Sequence, residues 1–342
     1  MKYRLQSMLS ALTSTLSLMA IALIIIVSPV KADYRHHPSA VAVVKTLVDK
    51  HGFSVAQVNA VLKQAETEQR ILNSMTNAAE KTKTWTAYRI SFLSPFRITK
   101  GAEFLVAHKS TFDQVEQKYG VPREIITAIL GVETNYGGYT GKTRVLNALS
   151  TLAFEHPRRS RFFTSELIEY IVLCREQQWD ASKQLGSYAG AMGMSQFMPS
   201  NYRRLAVDGD DDGDIDLFEP VDAIHSIANY FIHHGWQNAQ PVTSRVAVRQ
   251  DFDVALIGRG LKPNHSVARL AEGGFYPQDK MSPSVKARVI RFNDADGDEF
   301  WFGYQNFYAI SRYNPRSKYA MAVYQLSLAI EKQAKGNSQV SS

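Results

Sequence analysis

The chain has 342 residues, of which 45% are apolar and 21% charged, with a formal net charge of +7 and one cysteine. That length and apolar content suffice for two or three packed units around a sizeable core. The basic excess is mild and spread without a long block, which argues against nucleic acid as a partner and is compatible with weak attraction to an anionic polymer. The lone Cys174 can make no internal disulfide and reads as a small buried apolar side chain rather than a reactive thiol.

The N-terminus has a secretory signal layout. Lys2 and Arg4 precede a largely apolar run from Leu16 to Val27, and Val30-Lys31-Ala32 offers a cleavage point after Ala32. The run is short for a membrane span, which needs about 20 apolar residues. No cysteine stands near the cleavage point to carry a lipid. Residues 1–32 are therefore expected to be removed, leaving about 310 residues; three of the 39 basic residues and no acids go with them, so the remainder carries +4.

Helical spacing follows in Val41, Val44, Leu47 and Val48, and again in Val55, Val58, Val61 and Leu62. Trp85 to Arg89 opens a less regular aromatic segment. Helices are predicted over Lys100 to Tyr119, Pro122 to Glu133, Arg159 to Gln177 and Asp222 to His234. After Gln240 the pattern alternates, in Thr243 to Val248, Val285 to Phe292 and Phe300 to Tyr304, with Asp296-Gly297 as a hairpin turn between the last two. A helix over Lys318 to Gln333 and a frayed polar tail from Ala334 complete the chain. The expected class is α+β, predominantly α-helical. Its expected divisions are an N-terminal helical region (33–100) packed with the C-terminal helix, a catalytic core (101–239) containing an acidic loop (208–222), a small antiparallel β unit (240–308), and a closing helix and tail (309–342).

Glu133 is the first chemical candidate. Leu130, Ile129 and Ile126 lie three, four and seven positions before it, so its carboxyl shares the apolar face of its helix. An acid in apolar surroundings should have a raised pKa, and Gly137-Gly138 is expected to end the helix there, placing the negative end of its dipole beside the acid. A carboxyl kept protonated near neutral pH suits a general acid. A structural Glu bonded to a backbone or arginine partner is the competing reading.

The second candidate is Asp208-Gly209-Asp210-Asp211-Asp212-Gly213, followed after five residues by Glu219. It satisfies the calcium-loop pattern D-x-D-x-D-G-x₅-E. Asp208, Asp210 and Asp212 would converge on the ion, Gly213 permits the turn, Asp214 can offer its backbone carbonyl, and Ile215 anchors the loop. Hard oxygen ligands favour Ca²⁺. Pro220 directly after Glu219 should open the next helix, so either Glu219 or Asp222 closes the coordination shell. The loop has no second copy and reads as structural rather than sensing. Asn293 to Asp298 looks similar but puts Phe292 at the first ligand position and is read as a turn. The adjacent pairs His36-His37 and His233-His234 face different ways on a helix and are read as surface or interface residues rather than metal ligands.

The segment Gly186 to Ser200 combines small residues with Met and aromatic ones. Alone it could signify tight packing. Taken in order, Val132-Glu133-Thr134-Asn135-Tyr136-Gly137, Tyr188-Ala189-Gly190-Ala191-Met192-Gly193, Gln196-Phe197-Met198-Pro199-Ser200, the acidic loop with Asp222, Ala228-Asn229-Tyr230, Asn306-Phe307-Tyr308 and Arg312-Tyr313-Asn314 resemble the lytic murein transglycosylase B family. Its catalytic core is similar to goose-type lysozyme, and the resemblance runs from about Trp85 through Tyr319.

The resemblance implies cleavage, without water, of the β-1,4 bond between N-acetylmuramic acid and N-acetylglucosamine in peptidoglycan, leaving a 1,6-anhydromuramoyl end. Glu133 matches the single catalytic carboxyl. Ser187, Gln196, Tyr230 and Asn306 match residues lining the sugar cleft, and Tyr88 is expected to join them. Core packing is the competing reading for the two tyrosines. Phe162 stands where family members often carry a tyrosine, so it is left out of the site. The missing lipid-bearing cysteine implies a soluble periplasmic form. The expected partners are glycan strands, with other cell-wall enzymes as candidates, and the expected state is a monomer. Two rivals stand beside this reading: a hydrolytic muramidase, which needs a second carboxylate or a placed water, and a non-catalytic wall-binding protein.

Overall fold

The computed structural model describes residues 33–76, 83–294 and 297–340. The expected signal segment lies outside these residues, as do Ala295 and Asp296 of the expected turn. In chain order the helices of the first half are α1 (Ala40–His51), α2 (Val55–Leu62), α3 (Gln69–Thr76), α4 (Trp85–Phe92), α5 (Pro95–Ala107), α6 (Lys109–Tyr119), α7 (Arg123–Thr134), α8 (Val145–Glu155) and α9 (Ser160–Glu176). A short ribbon pairs β1 (Thr143–Arg144) with β2 (Leu185–Gly186). Helices α10 (Pro199–Leu205) and α11 (Pro220–His233) precede the main sheet, built from β3 (Thr243–Val248), β4 (His265–Ser266), β5 (Phe275–Pro277), β6 (Lys286–Phe292) and β7 (Glu299–Gly303), with α12 (Val267–Glu272) between β4 and β5. Then come α13 (Gln305–Ser311) and α14 (Ser317–Val340).

Local chemistry explains most boundaries. Ser54 and Gln57 form a reciprocal capping box at the start of α2. Thr84 caps α4 by accepting from the Ala87 amide, so the aromatic segment that looked irregular is a helix. The single helix expected over Lys100 to Tyr119 is broken at His108, whose φ of −113° and ψ of 28° leave the helical region. Every residue of α8 from Val145 to Phe154 is buried. A helix covered all round has no polar face, and no amphipathic period announces it.

Helix α14 packs on α4, α5 and α7, whereas α1 lies on α9 and α3 on α8. The expected N-terminal region 33–100 is thus divided: its second part meets the C-terminal helix, and its first part lies on the α8–α9 pair. The expected boundaries at 100 and 308 fall inside α5 and α13, and the tail expected to fray from Ala334 continues as helix to Val340. Among the described residues no helix is long and apolar enough to cross a membrane.

The sheet is antiparallel, in the order β4-β6-β7-β3-β5. One apolar cluster of its own unites Val246, Leu270, Phe275, Val289 and Phe302, while Ile290, Phe292 and Phe307 belong to the main core. The Trp85 ring stacks on Phe292 at 4.5 Å, and the Thr86 amide donates to the Asp294 carboxylate at 2.7 Å. The β unit is therefore fastened to the α4 end of the helical body. Cys174 is buried, and burial pushes its thiol up to about 12, so it is inert.

Candidate active site

Glu133 sits in the last turn of α7, half-buried, beyond the fully buried Ile126, Ile129 and Leu130. The helix ends differently from expectation. Asn135 takes the left-handed conformation at φ 52°, Tyr136 follows at φ 59°, and the glycines come after the turn. Two cations meet the exposed carbonyls: Arg97 Nε donates to Gly131 O at 3.1 Å and Lys100 Nζ to Asn135 O at 3.0 Å. The negative end of the dipole is thus offset rather than bare. Gly131 is required because the Tyr136 ring folds back over it, and a Cβ there would lie 2.6 Å from the tyrosine oxygen.

The C-terminal helix supplies the decisive partner. Tyr319, at the start of α14 and 3% exposed, donates its hydroxyl to Glu133 Oε1 at 2.5 Å. Its pKa is raised well above the ordinary 10, first by burial and then by the Glu133 charge, so Tyr319 stays protonated and remains a donor. Tyr313 and Tyr230 are raised by burial too, with Glu133 the only carboxylate among the described residues acting on either. One tyrosine thus bonds the acid, and two more lie within reach of its charge.

The glycine-methionine segment closes on the end of α7. Thr134 Oγ1 donates to Met194 O at 3.0 Å, and Tyr313 Oη donates to Ser195 O at 2.9 Å. Gln196, half-buried with φ 50°, donates from Nε2 to Thr140 O at 3.1 Å and Gly193 O at 3.0 Å. This ties it to the loop that follows Glu133. Ser187 Oγ accepts from the Ala191 amide at 3.0 Å and shapes the same segment. Tyr230 is 3% exposed; it donates to Arg312 O at 2.5 Å and its ring lies 4.6 Å from that of Tyr313. It backs the site from behind.

One expectation needs correction. Asn306 is fully buried; its Oδ1 accepts from the Gln237 amide at 2.7 Å, and its Nδ2 donates to Gln237 O and Gln240 O, both at 2.8 Å. A side chain so committed clamps the loop before β3 and cannot line a cleft. Tyr88 is as buried as Tyr230, with its ring 5.0 Å from that of Phe92. Phe162, by contrast, is exposed under the Arg159 guanidinium at 4.7 Å.

In the acidic loop, carboxylate oxygens of Asp208, Asp210 and Asp222 lie within 4.8 Å of one another. Of the two candidates to complete the set, Asp222 is the one brought in. Glu219 is exposed and stands one residue ahead of α11. Asp212 and Asp214 are also exposed, and each is bent into a local turn, accepting from the amides of Asp214 and Ile215 respectively. Buried Asp222 accepts from the Gly209 amide at 2.7 Å and the Asp216 amide at 2.6 Å. Burial raises its pKa, the two amides oppose this, and Asp210 and Asp208 raise it further. Asp208 Oδ1 is buried with no hydrogen-bond partner.

The model of the transglycosylase SLT domain family matches residues 36–328, most of the chain. The chain belongs to that family. It is 39% identical over 307 residues to the membrane-bound lytic murein transglycosylase B of Escherichia coli (strain K12), covering 87% of this chain and 84% of the relative. Among solved structures, the catenated lytic transglycosylase SltB1 of Pseudomonas aeruginosa superposes with a TM-score of 0.84 at 41% identity, over 88% of this chain and all of the other. The Escherichia coli lytic transglycosylase Slt35, solved in complex with calcium, gives 0.80 at 39%, over 88% of this chain and 95% of the other.

For this member of the SLT domain family, the sequence reading missed Tyr319. It passed over Tyr313 within Arg312-Tyr313-Asn314 without assigning it a role. The available signal was the pair of tyrosines just before and inside the closing helix, set among polar and basic residues from Ser311 to Lys318.

Proposed function

We propose that this chain is a peptidoglycan lytic transglycosylase that cleaves the β-1,4 bond between N-acetylmuramic acid and N-acetylglucosamine without water. The reaction would leave a 1,6-anhydromuramoyl end and serve cell-wall turnover in the periplasm after export. The observation that carries this reading is Glu133, held at Oε1 by the Tyr319 hydroxyl and, among the described residues, the sole carboxylate acting on the tyrosine cluster. With Oε1 accepting from Tyr319, the proton of the acid form belongs on Oε2. Glu133 gives that proton to the leaving glycosidic oxygen as general acid. As carboxylate it then takes the proton of the muramoyl C6 hydroxyl while that oxygen attacks C1. The intramolecular hydroxyl has a high effective concentration and replaces the second carboxylate and water of a hydrolase. Tyr319 donates to the same oxygen in both states and holds the carboxyl still. Ser187 and Gln196 are assigned to the substrate side of the site, with Tyr230 behind them.

The acidic loop suits Ca²⁺: three carboxylates converge and one buried oxygen of Asp208 lacks a partner. Asp208, Asp210 and Asp222 would hold the ion. Its charge would offset their mutual repulsion and fix the loop ahead of α11, the helix that carries Tyr230.

The test is digestion of purified sacculi by the protein beginning at Asp33 and by its Glu133→Gln variant. The variant should bind sacculi like the parent and lose activity by on the order of 10²–10⁴-fold. Its amide oxygen can still accept from Tyr319, so folding should be kept. Undiminished turnover would remove Glu133 from this role.

A further inference from the structure

A basic pocket lies where the β unit meets α13 and the start of the closing segment, at the end of the molecule that also holds Arg312. Its cavity of about 470 Å³ is lined by Arg259, Lys262, Arg288 and Arg312, with Leu261 and Pro315 as apolar walls. That size falls in the range of small-molecule sites.

Arg288 is the anomaly. It stands on β6 and is 6% exposed. Nη1 donates to Asn264 Oδ1 at 3.0 Å and Nη2 to Arg259 O at 2.8 Å, while the buried Nε has no partner. Burial alone lowers its pKa, with no acid acting on it. None of the four cations has an ion pair with a carboxylate among the described residues. The chain also makes room for this guanidinium: a Cβ on Gly258 would lie 2.1 Å from Arg288 Nη2.

A purely structural arginine, stapling the 258–264 loop to β6, accounts for the two Nη bonds. It leaves the Nε hydrogen unspent and three more cations gathered without a counter-charge. Burying a charge without an opposite one is costly, and an anion in the cavity would reverse that cost. The apolar walls fit an aliphatic carboxylate better than a bare inorganic anion. Arg312 directly precedes Tyr313, whose hydroxyl donates to Ser195 O in the segment that closes on the end of α7, so the pocket lies beside the candidate site.

We infer that this pocket is a carboxylate subsite, and that it receives an acidic side chain or terminus of the peptide attached to the glycan strand. The inference rests on the proposed function for the source of the carboxylate, and not for the pocket itself.

Titration calorimetry on the calcium-loaded chain from Asp33 separates the two. The probes are the free stem peptide, the same peptide with its carboxylates amidated, and inorganic phosphate. The free peptide should bind, and amidation should weaken it roughly tenfold or more. The exposed pair Arg259→Ala with Lys262→Ala should weaken the free peptide by a similar factor with an unchanged melting temperature. In cleavage assays this double variant should raise KM for peptide-bearing glycan with kcat kept, and leave peptide-free glycan unaffected. Equal affinity for the amidated peptide, phosphate binding as tight as the peptide, or an equal loss on both glycans would overturn the subsite. Peptide binding with no turnover of either glycan by the parent would instead sink the proposed function and leave the pocket standing.

Discussion

Removing the Tyr319 hydroxyl by Tyr319→Phe tests how the acid is held. The hydroxyl is buried, lies 2.5 Å from Glu133 Oε1, and stays protonated because burial and the Glu133 charge raise its pKa well above 10. A hydrogen bond to a charged group contributes about 1.5–3 kcal/mol. If that stabilisation is fully expressed in the transition state, kcat should fall roughly 10- to 100-fold. KM should stay within about twofold, because the hydroxyl reaches the substrate only through Glu133. Loss of one buried bond with the ring retained should cost about 1 kcal/mol, or a few degrees of melting temperature. The assay is initial release of soluble muropeptides from sacculi alongside thermal unfolding. A variant with parental kcat would refute the idea that Tyr319 positions the acid, and a collapse of the fold would show that the residue is mainly structural.

Chelation should lower the melting temperature of the parent; Asp222→Asn should remove that response and Glu219→Gln should keep it, and the reverse pattern would return Glu219 to the ligand set. His234, whose pKa burial and the neighbouring His233, Arg312 and Arg204 charges lower to about 4, is neutral when folded and takes up a proton more readily when unfolded. Its contribution is present above pH ~6.5 and lost as pH falls toward 4; denaturant midpoints should show that slope, His234→Gln should flatten it, and an unaltered slope would discard the assignment. Asn306→Ala strands three backbone groups and should destabilise the fold by on the order of 3 kcal/mol while sparing KM; a raised KM with an unchanged melting temperature would restore Asn306 to the cleft.

What could be read in the sequence followed from local geometry. Glu133 was visible because helical spacing places it on the face of Ile126 and Ile129. The acidic loop was visible because its ligand types sit at fixed offsets. The choice of Asp222 over Glu219 was not, because it depends on where α11 begins and on the Gly209 and Asp216 amides that seat the carboxylate. Tyr319 lies 186 positions from its partner and has the spacing of an ordinary core residue of α14. Helix α8 escaped notice because full burial erases amphipathic alternation. Asn306 misled because its place in the motif order matches a cleft residue of the resembled family, and only the fold reveals the loop it clamps.

The central claim concerns what attacks C1 once Glu133 has given up its proton. Mass spectrometry of muropeptides released from sacculi measures this directly. Products one water lighter than reducing-end muropeptides are the result the account predicts, since the muramoyl C6 hydroxyl closes the ring. Ordinary reducing ends would mean that water reaches the site, and would contradict it.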